Sequence, residues 1–423
     1  MAAVFTSSWT LFVGILFLMV GNGLQGTVLG LRGAMEGFTA SEMSFVMSGY
    51  FLGFLGGARL APRMIGKVGH VRVFAALASL ISAAFILYAA VPNAVAWMLM
   101  RVLIGFCFSG VYVVAESWLN EASTNENRGK TLSLYLIVQM TGIVSAQILV
   151  NFADPGGWNL FVIMSVLVSI SFAPILLSAQ RTPAFETTKP MSFPELFRVS
   201  PLGCVGMFFL GGVFAALFGM AAVYGTEVGL SVREVTIFVS AIYVGGMLAQ
   251  YPIGWLSDRM DRRRLIMAVT AVCAAMTFLG LAFVGNFVVL CLLAFVIGGV
   301  ANPLYSLLLA HANDFLEHED MAAASGGMIF LNGVGAIMGP ILVGWLMQQY
   351  GSHYFFVFIA LIMASIAAYA AFRMTRRASI PVDETSSYAA ILPSATPVAV
   401  EIAQEVAIEM DIEDENATDE PQI

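Results

Sequence analysis

Ten stretches of this chain contain no Asp, Glu, Lys or Arg: residues 1–31, 43–58, 73–100, 102–115, 131–153, 155–180, 199–226, 235–257, 265–313 and 321–372. A helix rises about 1.5 Å per residue, so roughly 20 apolar residues cross about 30 Å of hydrocarbon. The last two stretches are each long enough for two crossings, divided near Gly285-Asn286 and near Gly351-Ser352-His353. Arg101 falls inside one helix and joins the runs on either side of it. The spacing predicts twelve spans: 8–31, 41–61, 73–92, 95–118, 131–152 and 157–178, then 201–223, 234–256, 265–284, 287–310, 324–347 and 353–373. With 59% hydrophobic and only 11% charged residues, the chain cannot cover a soluble globule with polar surface. An all-α membrane protein is expected.

The twelve spans read as one six-helix unit written twice. Lys67-Val68-Gly69-His70-Val71-Arg72 recurs as Arg259-Met260-Asp261-Arg262-Arg263-Arg264, each at the mouth of a long apolar run. Further pairs keep the same offset within one residue: Thr39-Ala40-Ser41-Glu42 with Ser231-Val232-Arg233-Glu234, Gly105 with Gly298, Asn120 with Asn313, Gln139 with Asn332, and Gly142 with Gly335. A collinear series of this kind predicts two pseudo-symmetric halves, an arrangement that places a solute site at mid-membrane between parts able to rock.

The formal charge of −8 divides unevenly, because residues 378–423 carry 11 acidic and no basic side chains. Residues 1–377 hold 19 basic against 16 acidic residues. With the amino terminus inside, sixteen basic residues fall on inner loops and helix ends, while only Arg32 and Arg233 fall outside. Positive charge in short loops marks the cytoplasmic side, so both termini are expected in the cytoplasm. The first apolar run has no basic leader, is long enough to span, and has a repeat partner at 200–223, so it is read as a retained helix. Cys107, Cys204, Cys273 and Cys291 fall in predicted spans without metal-ligand spacing and are read as buried thiols.

Four segments follow: a first half at 1–178, a cytoplasmic linker at 179–200 with a short interfacial helix at Phe193 to Phe197, a second half at 201–377, and an acidic tail at 378–423. Prolines, small residues and the acidic run from Glu409 to Glu420 predict a disordered tail. Asp314, Glu317, Glu319 and Asp320 form an acidic inner loop expected to face Arg262 to Arg264.

Gly254-Trp255-Leu256-Ser257-Asp258-Arg259-Met260-Asp261-Arg262-Arg263 resembles the signature of the major facilitator superfamily between its second and third, or eighth and ninth, helices. The first-half copy has Gly66 where the family places its aspartate, so the carboxylate has moved to the other half. An arginine early in the fourth helix with a glycine four positions on, Arg101 and Gly105 here, is a second family pattern. Glu116-Ser117-Trp118-Leu119-Asn120, Asn127-Arg128-Gly129-Lys130 and Leu31-Arg32-Gly33-Ala34-Met35-Glu36-Gly37-Phe38 are similar to the YcaD-type branch, bacterial inner-membrane proteins with no agreed substrate. The resemblance spans all twelve helices and leaves out the tail. It implies a twelve-helix transporter fold in the bacterial inner membrane. Its antiporters end a fifth-helix glycine pattern in Gly-Pro; here Ala146-Gln147 stands in that place and Gly339-Pro340 occupies the repeat-related eleventh helix, which weakens an export reading.

By the same resemblance the first, fourth, seventh and tenth helices line a central cavity. From these and the adjacent fifth and eleventh, the polar side chains to watch are Gln25, Arg32, Arg101, Tyr112, Gln139, Gln147, Tyr224, Asn302, Tyr305 and Asn332. An amide in a membrane helix also hydrogen-bonds simply to a neighbouring helix. A guanidinium at the depth of Arg101 costs about 2.5–3.5 kcal/mol on insertion scales and so should face a wet cavity or a partner. Glu116, placed near the inner mouth, is the candidate proton carrier; the competing reading pairs it with Arg128 or Lys130. Lys67, Arg72, Arg128, Asp258, Arg259, Arg262 and Arg263 form a candidate inner gate, with Asp258 latching to the neighbouring bundle, or else a plain topogenic charge cluster.

The expected function is secondary transport of a small organic solute by alternating access, proton-coupled, with direction open and efflux slightly favoured by the resemblance. A non-transporting membrane sensor or scaffold using the tail is the alternative. No Gly-x-Ser-x-Gly, His-Glu-x-x-His or Walker lysine loop occurs, so an enzyme is not expected. The expected partners are lipid, a small-molecule substrate and protons, with no cofactor, metal or nucleic acid, in a monomer.

Overall fold

The computed structural model describes residues 2–121, 123, 127–173, 191–283, 285–381 and 385–419. The first part of the expected linker, the end of the sixth predicted span, and Asp383-Glu384 lie outside the described residues. The first half comprises α1 (Ala2–Met35), α2 (Ala40–Val68), α3 (His70–Ala90), α4 (Ala94–Glu121), α5 (Arg128–Leu149, extended by a 3-10 turn at Val150–Phe152) and α6 (Asn159–Ser171). A short helix α7 (Phe193–Val199) lies where the interfacial helix was expected. The second half runs through α8 (Pro201–Glu227), α9 (Val232–Ser257), α10 (Arg262–Gly280), α11 (Phe287–Asn313), α12 (His318–Tyr350) and α13 (Tyr354–Met374). No strand occurs among the described residues. Ten of these helices are long and apolar enough to cross a membrane. Of the other two predicted spans, α2 is 29 residues long and carries Arg59, Arg63 and Lys67 toward its end, and α6 is apolar over its 13 residues.

The two halves repeat each other down to their caps and crossings. Thr39 and Ser231 each accept a hydrogen bond from the backbone N–H three residues on, and Glu42 and Glu234 reach back, so α2 and α9 open on the same capping box. Helix α2 packs on α4 as α9 packs on α11, α1 on α5 as α8 on α12, and α3 on α6 as α10 on α13. The closest approaches use glycines at repeat-related positions. A Cβ added to Gly105 would lie 1.9 Å from the Tyr50 carbonyl oxygen, and one on Gly298 would lie 2.0 Å from that of Ile242. Without a driving force from lipid, membrane helices associate by this close packing of small residues.

Between the halves, α2 lies along α12 and α5 meets α9, with hydrogen bonds toward the ends where α2 and α9 begin and Arg59 over the Phe330 ring at 5.7 Å further along. Along α2 and α12, the Ser41 N–H donates to Gln348 Oε1 at 3.2 Å and the Ser48 hydroxyl donates to the Ile337 carbonyl. Between α5 and α9, Asn151 Nδ2 donates to Thr236 Oγ1 at 3.0 Å. The opposite face carries the basic loops, and there a fourteenth helix lies between the halves.

That helix is α14 (Pro397–Asp419), and it stands where the acidic composition predicts a disordered tail. It packs on α4 and α5 of the first half and on α12 of the second. Charge averaged over 378–423 hid its character, because the acidic residues concentrate after Glu409. Before that point Ala399, Val400, Ile402, Ala403 and Ala407 are buried at helical spacing, whereas Glu401 is exposed. The tail joins the core cluster through Ile391, Ala395, Ala399, Val400 and Ala403.

Candidate functional site

A cavity lies between the halves, with about 170 Å³ open to the centres of water-sized molecules. Its walls come from α1, α2, α4, α5, α8, α9, α11 and α12, and tail residues Leu392, Pro393 and Ser394 also line it. The wall of α8 includes a π-helical turn at Ala216–Met220, which presents Leu217 and Phe218 to the cavity.

Arg101 is the cationic side chain in this lining. It is 3% exposed, and its Nε has no hydrogen-bond partner among the described residues. Its guanidinium carbon sits 4.7 Å from the centroid of the Tyr50 ring, a cation–π contact that offsets part of the cost of burying the charge. Among the described residues no Asp or Glu belongs to the lining. The remaining polar groups are mostly amides. Gln25 Nε2 donates to Asn22 Oδ1 at 2.6 Å, and Asn22 Nδ2 donates to the Tyr112 hydroxyl at 2.9 Å. Asn332 Nδ2 donates to the Met207 carbonyl at 3.1 Å, while Gln25 Oε1 and Asn302 Oδ1 have no partner among the described residues. Aromatic rings supply much of the rest: Tyr50, Phe51, Phe54, Phe214, Phe218 and Tyr243, the last two stacked at 4.9 Å.

Of the side chains expected to line the cavity, Gln25, Arg101, Tyr112, Asn302 and Asn332 do so. The others are placed elsewhere. Arg32 pairs with Glu36 at 2.6 Å one turn on. Gln147 is consumed by the Thr27 hydroxyl and the Gly23 carbonyl, the bland fate of a membrane amide. Gln139 is buried outside the lining. Tyr224 stacks on Phe355 at 4.9 Å, and Tyr305 packs against Phe214, each in the hydrophobic core. Asn22, Tyr50 and Tyr243 were missed. Asn22 lies three residues before Gln25 on one helical face, and Tyr243 repeats Tyr50 at the offset of the halves, so spacing carried both signals.

Glu116 lies beyond the cavity toward the basic-loop face. Its carboxylate accepts from the Tyr135 hydroxyl at 3.0 Å, from the Thr396 N–H at 3.3 Å and from the Thr396 hydroxyl. The expected alternative partner Arg128 instead pairs with Glu405 of α14 at 2.6 Å.

The candidate gate is not assembled as expected. Asp258 accepts from the Tyr388 N–H of the tail at 2.9 Å and lies 3.5 Å from Arg262, so its partners are the tail and its own half rather than the first half. Burial pushes its carboxyl above the usual range. Arg262 also pairs with Asp314, the contact expected of the acidic loop. Arg263 pairs with Asp261 at 2.9 Å and donates to the Arg377 and Ala378 carbonyls. Arg259 lies over the Trp255 ring at 4.4 Å, and Lys67 and Arg72 are exposed. In this arrangement acids of the same half, Asp258, Asp261 and Asp314, take up Arg262 and Arg263.

Comparison with known proteins bears on this geometry. The Major Facilitator Superfamily profile matches residues 11–231 and 202–399. The chain is 27% identical over 354 residues to an uncharacterized MFS-type transporter, YcaD, of Escherichia fergusonii, covering 83% of this chain and 91% of that protein. Its fold is similar to that of the nucleoside transporter NupG, with a TM-score of 0.69 at 16% identity over 88% of this chain and 98% of the other. It is also similar to a D-xylose-proton symporter, with a TM-score of 0.67 at 15% identity over 86% and 96%. These relatives are transporters rather than enzymes. The duplicated helix pairing, the inter-half cavity and the profile across both halves agree: the chain is a multi-pass membrane transporter belonging to the Major Facilitator Superfamily.

Proposed function

We propose that the protein carries a small organic anion with a flat apolar body, by rocking of its halves around the cavity. The observation behind this reading is Arg101, a buried guanidinium in the cavity wall that forms no ion pair among the described residues. Burying a charge without a partner is costly, and a carboxylate entering beside Tyr50 would supply the missing charge. The rings of Phe54, Phe214, Phe218 and Tyr243 suit a planar body, and the amides of Asn22, Gln25, Asn302 and Asn332 can orient polar substituents. The basic-loop face is assigned to the cytoplasm by the excess of Arg and Lys on it, which puts both termini inside. The cavity then reads as inward-directed, since hydrogen bonds join the halves on the outer face at Ser41 and Asn151 and in the outer part of the span at Ser48.

Proton coupling through Glu116 is the finer part of the proposal. Among the described residues this carboxylate is held by hydroxyl and N–H donors rather than by a cation, and it is 1% exposed, so its protonation state follows which of those donors is present. Uptake of labelled aromatic carboxylates, aromatic amines and sugars into proteoliposomes tests both parts. Carboxylates should be taken up above protein-free vesicles, at a rate that depends on an imposed pH difference. Glu116→Gln should remove that dependence and keep exchange at equal pH. Uptake confined to amines or sugars contradicts the anion reading; an intact pH response in Glu116→Gln removes the proton role.

A further inference from the structure

The stretch from Ser386 to Ala407 threads the mouth between the halves on the basic-loop face, and both halves hold it. On the second half, Tyr388 donates its N–H to Asp258 at 2.9 Å, and its hydroxyl accepts from Gln250 Nε2 at 3.1 Å. Ile391 forms a closed pair with Ser306, whose hydroxyl accepts from the Ile391 N–H at 2.9 Å and donates to its carbonyl at 3.1 Å. Further along, Gln404 Nε2 donates to the Ser325 hydroxyl at 2.6 Å and to the Met321 carbonyl at 3.2 Å. On the first half, Arg128 pairs with Glu405, and Val406 lies so near Gly129 that an added Cβ there would be 3.2 Å from it.

The two attachments meet where α14 begins. Thr396 precedes Pro397 at the first helical position, an arrangement that leaves N–H groups of the first turn without helical acceptors. Glu116, from α4, receives the Thr396 N–H and hydroxyl, and Thr396 is fully buried. A carboxylate from the first half thus caps a helix of the tail, in the place where a helix carries partial positive charge. Immediately before this cap, Leu392, Pro393 and Ser394 line the cavity.

We propose that residues 386–408 are a self-inhibitory plug, docked in the inner mouth by Glu116 and Arg128 on one half and by Asp258, Ser306 and Ser325 on the other. While docked, the plug covers the cavity end and ties the halves together. Solute passes to or from the cytoplasm only when it leaves. The consequence for transport rests on the reading of the cavity as a solute site, but the docking is testable without any solute.

Ala58 lines the cavity from α2 and supplies the probe position. In a background without the four native cysteines, Ala58→Cys is labelled with a membrane-impermeant maleimide in inside-out vesicles. The comparison sets the full chain against Val400→Asp, Thr396→Val, and a chain ending at Arg377. Val400 is fully buried, so an added carboxylate there expels the helix, whereas Thr396→Val removes one hydroxyl with almost no change of shape. Labelling should accelerate at least about tenfold in Val400→Asp and in the shortened chain, and by less in Thr396→Val, as the undocked population rises. Lys67→Cys, exposed on the same face, should label equally in all four. Equal Ala58→Cys rates in all four, with each eluting as a single species, overturn the plug and leave the transport reading intact. Faster labelling without uptake of the labelled carboxylates upholds the plug and contradicts the anion reading of the cavity.

Discussion

A disulfide between Asn151→Cys and Thr236→Cys is expected to bring uptake down to the level of protein-free vesicles, and reductant to restore it. The native side chains touch at 3.0 Å, joining the end of α5 in the first half to the start of α9 in the second. Alternating access requires this outer junction to part, because a site at mid-membrane reaches the outer side only when the halves rotate away from each other there. A covalent bond sets the population of the outward-open state to zero rather than shifting it by a few kcal/mol, so the loss should be complete. Each single cysteine, treated with the same oxidant, should transport as the parent does. Oxidised double-cysteine protein that still transports would mean that the halves do not part along α5 and α9.

Arg101→Ala is expected to cost roughly 2–5 kcal/mol of solute binding, or about 30- to 5,000-fold in apparent affinity, the range found when one partner of a buried charge pair is truncated. Arg101→Lys should fall between, because an ammonium keeps the charge but loses the planar fork and the stacking on Tyr50. The sign of the stability change separates binding from scaffolding. A guanidinium with no ionic partner among the described residues contributes desolvation cost to the empty protein, so the solute-free thermal midpoint of Arg101→Ala should hold or rise. A lowered midpoint with unchanged affinity would make Arg101 a packing residue.

The architecture was legible because membrane folding is written in long-period signals. Charge-free runs mark the helices, and Thr39 with Glu42 and Ser231 with Glu234 announce the same capping box twice. Arg101 was legible for the same reason, since a lone cation in an apolar helix has few places to point. Amides were not. Gln147 and Asn332 are alike in sequence context, yet one is spent on Thr27 and Gly23 and the other reaches the cavity, a difference made by neighbours on other helices. Tyr50 was passed over because α2 was not counted among the cavity helices, although its repeat partner Tyr243 keeps the offset of the halves. The helix in the tail is hard to see in the sequence for a separate reason. Its acidic end dominated the composition, while the apolar stripe from Ala399 to Ala407 needed a helical count to be seen.

The most direct test of a carrier that rocks around Arg101 is a distance across the outer face. Spin labels at Ser41→Cys on α2 and Gln349→Cys on α12 bracket the junction where Ser41 meets Gln348. In lipid, one short distance should dominate without solute, and a second, longer population should grow when a transported anion is added. A single unchanged distance in protein that is transporting that anion would contradict the account.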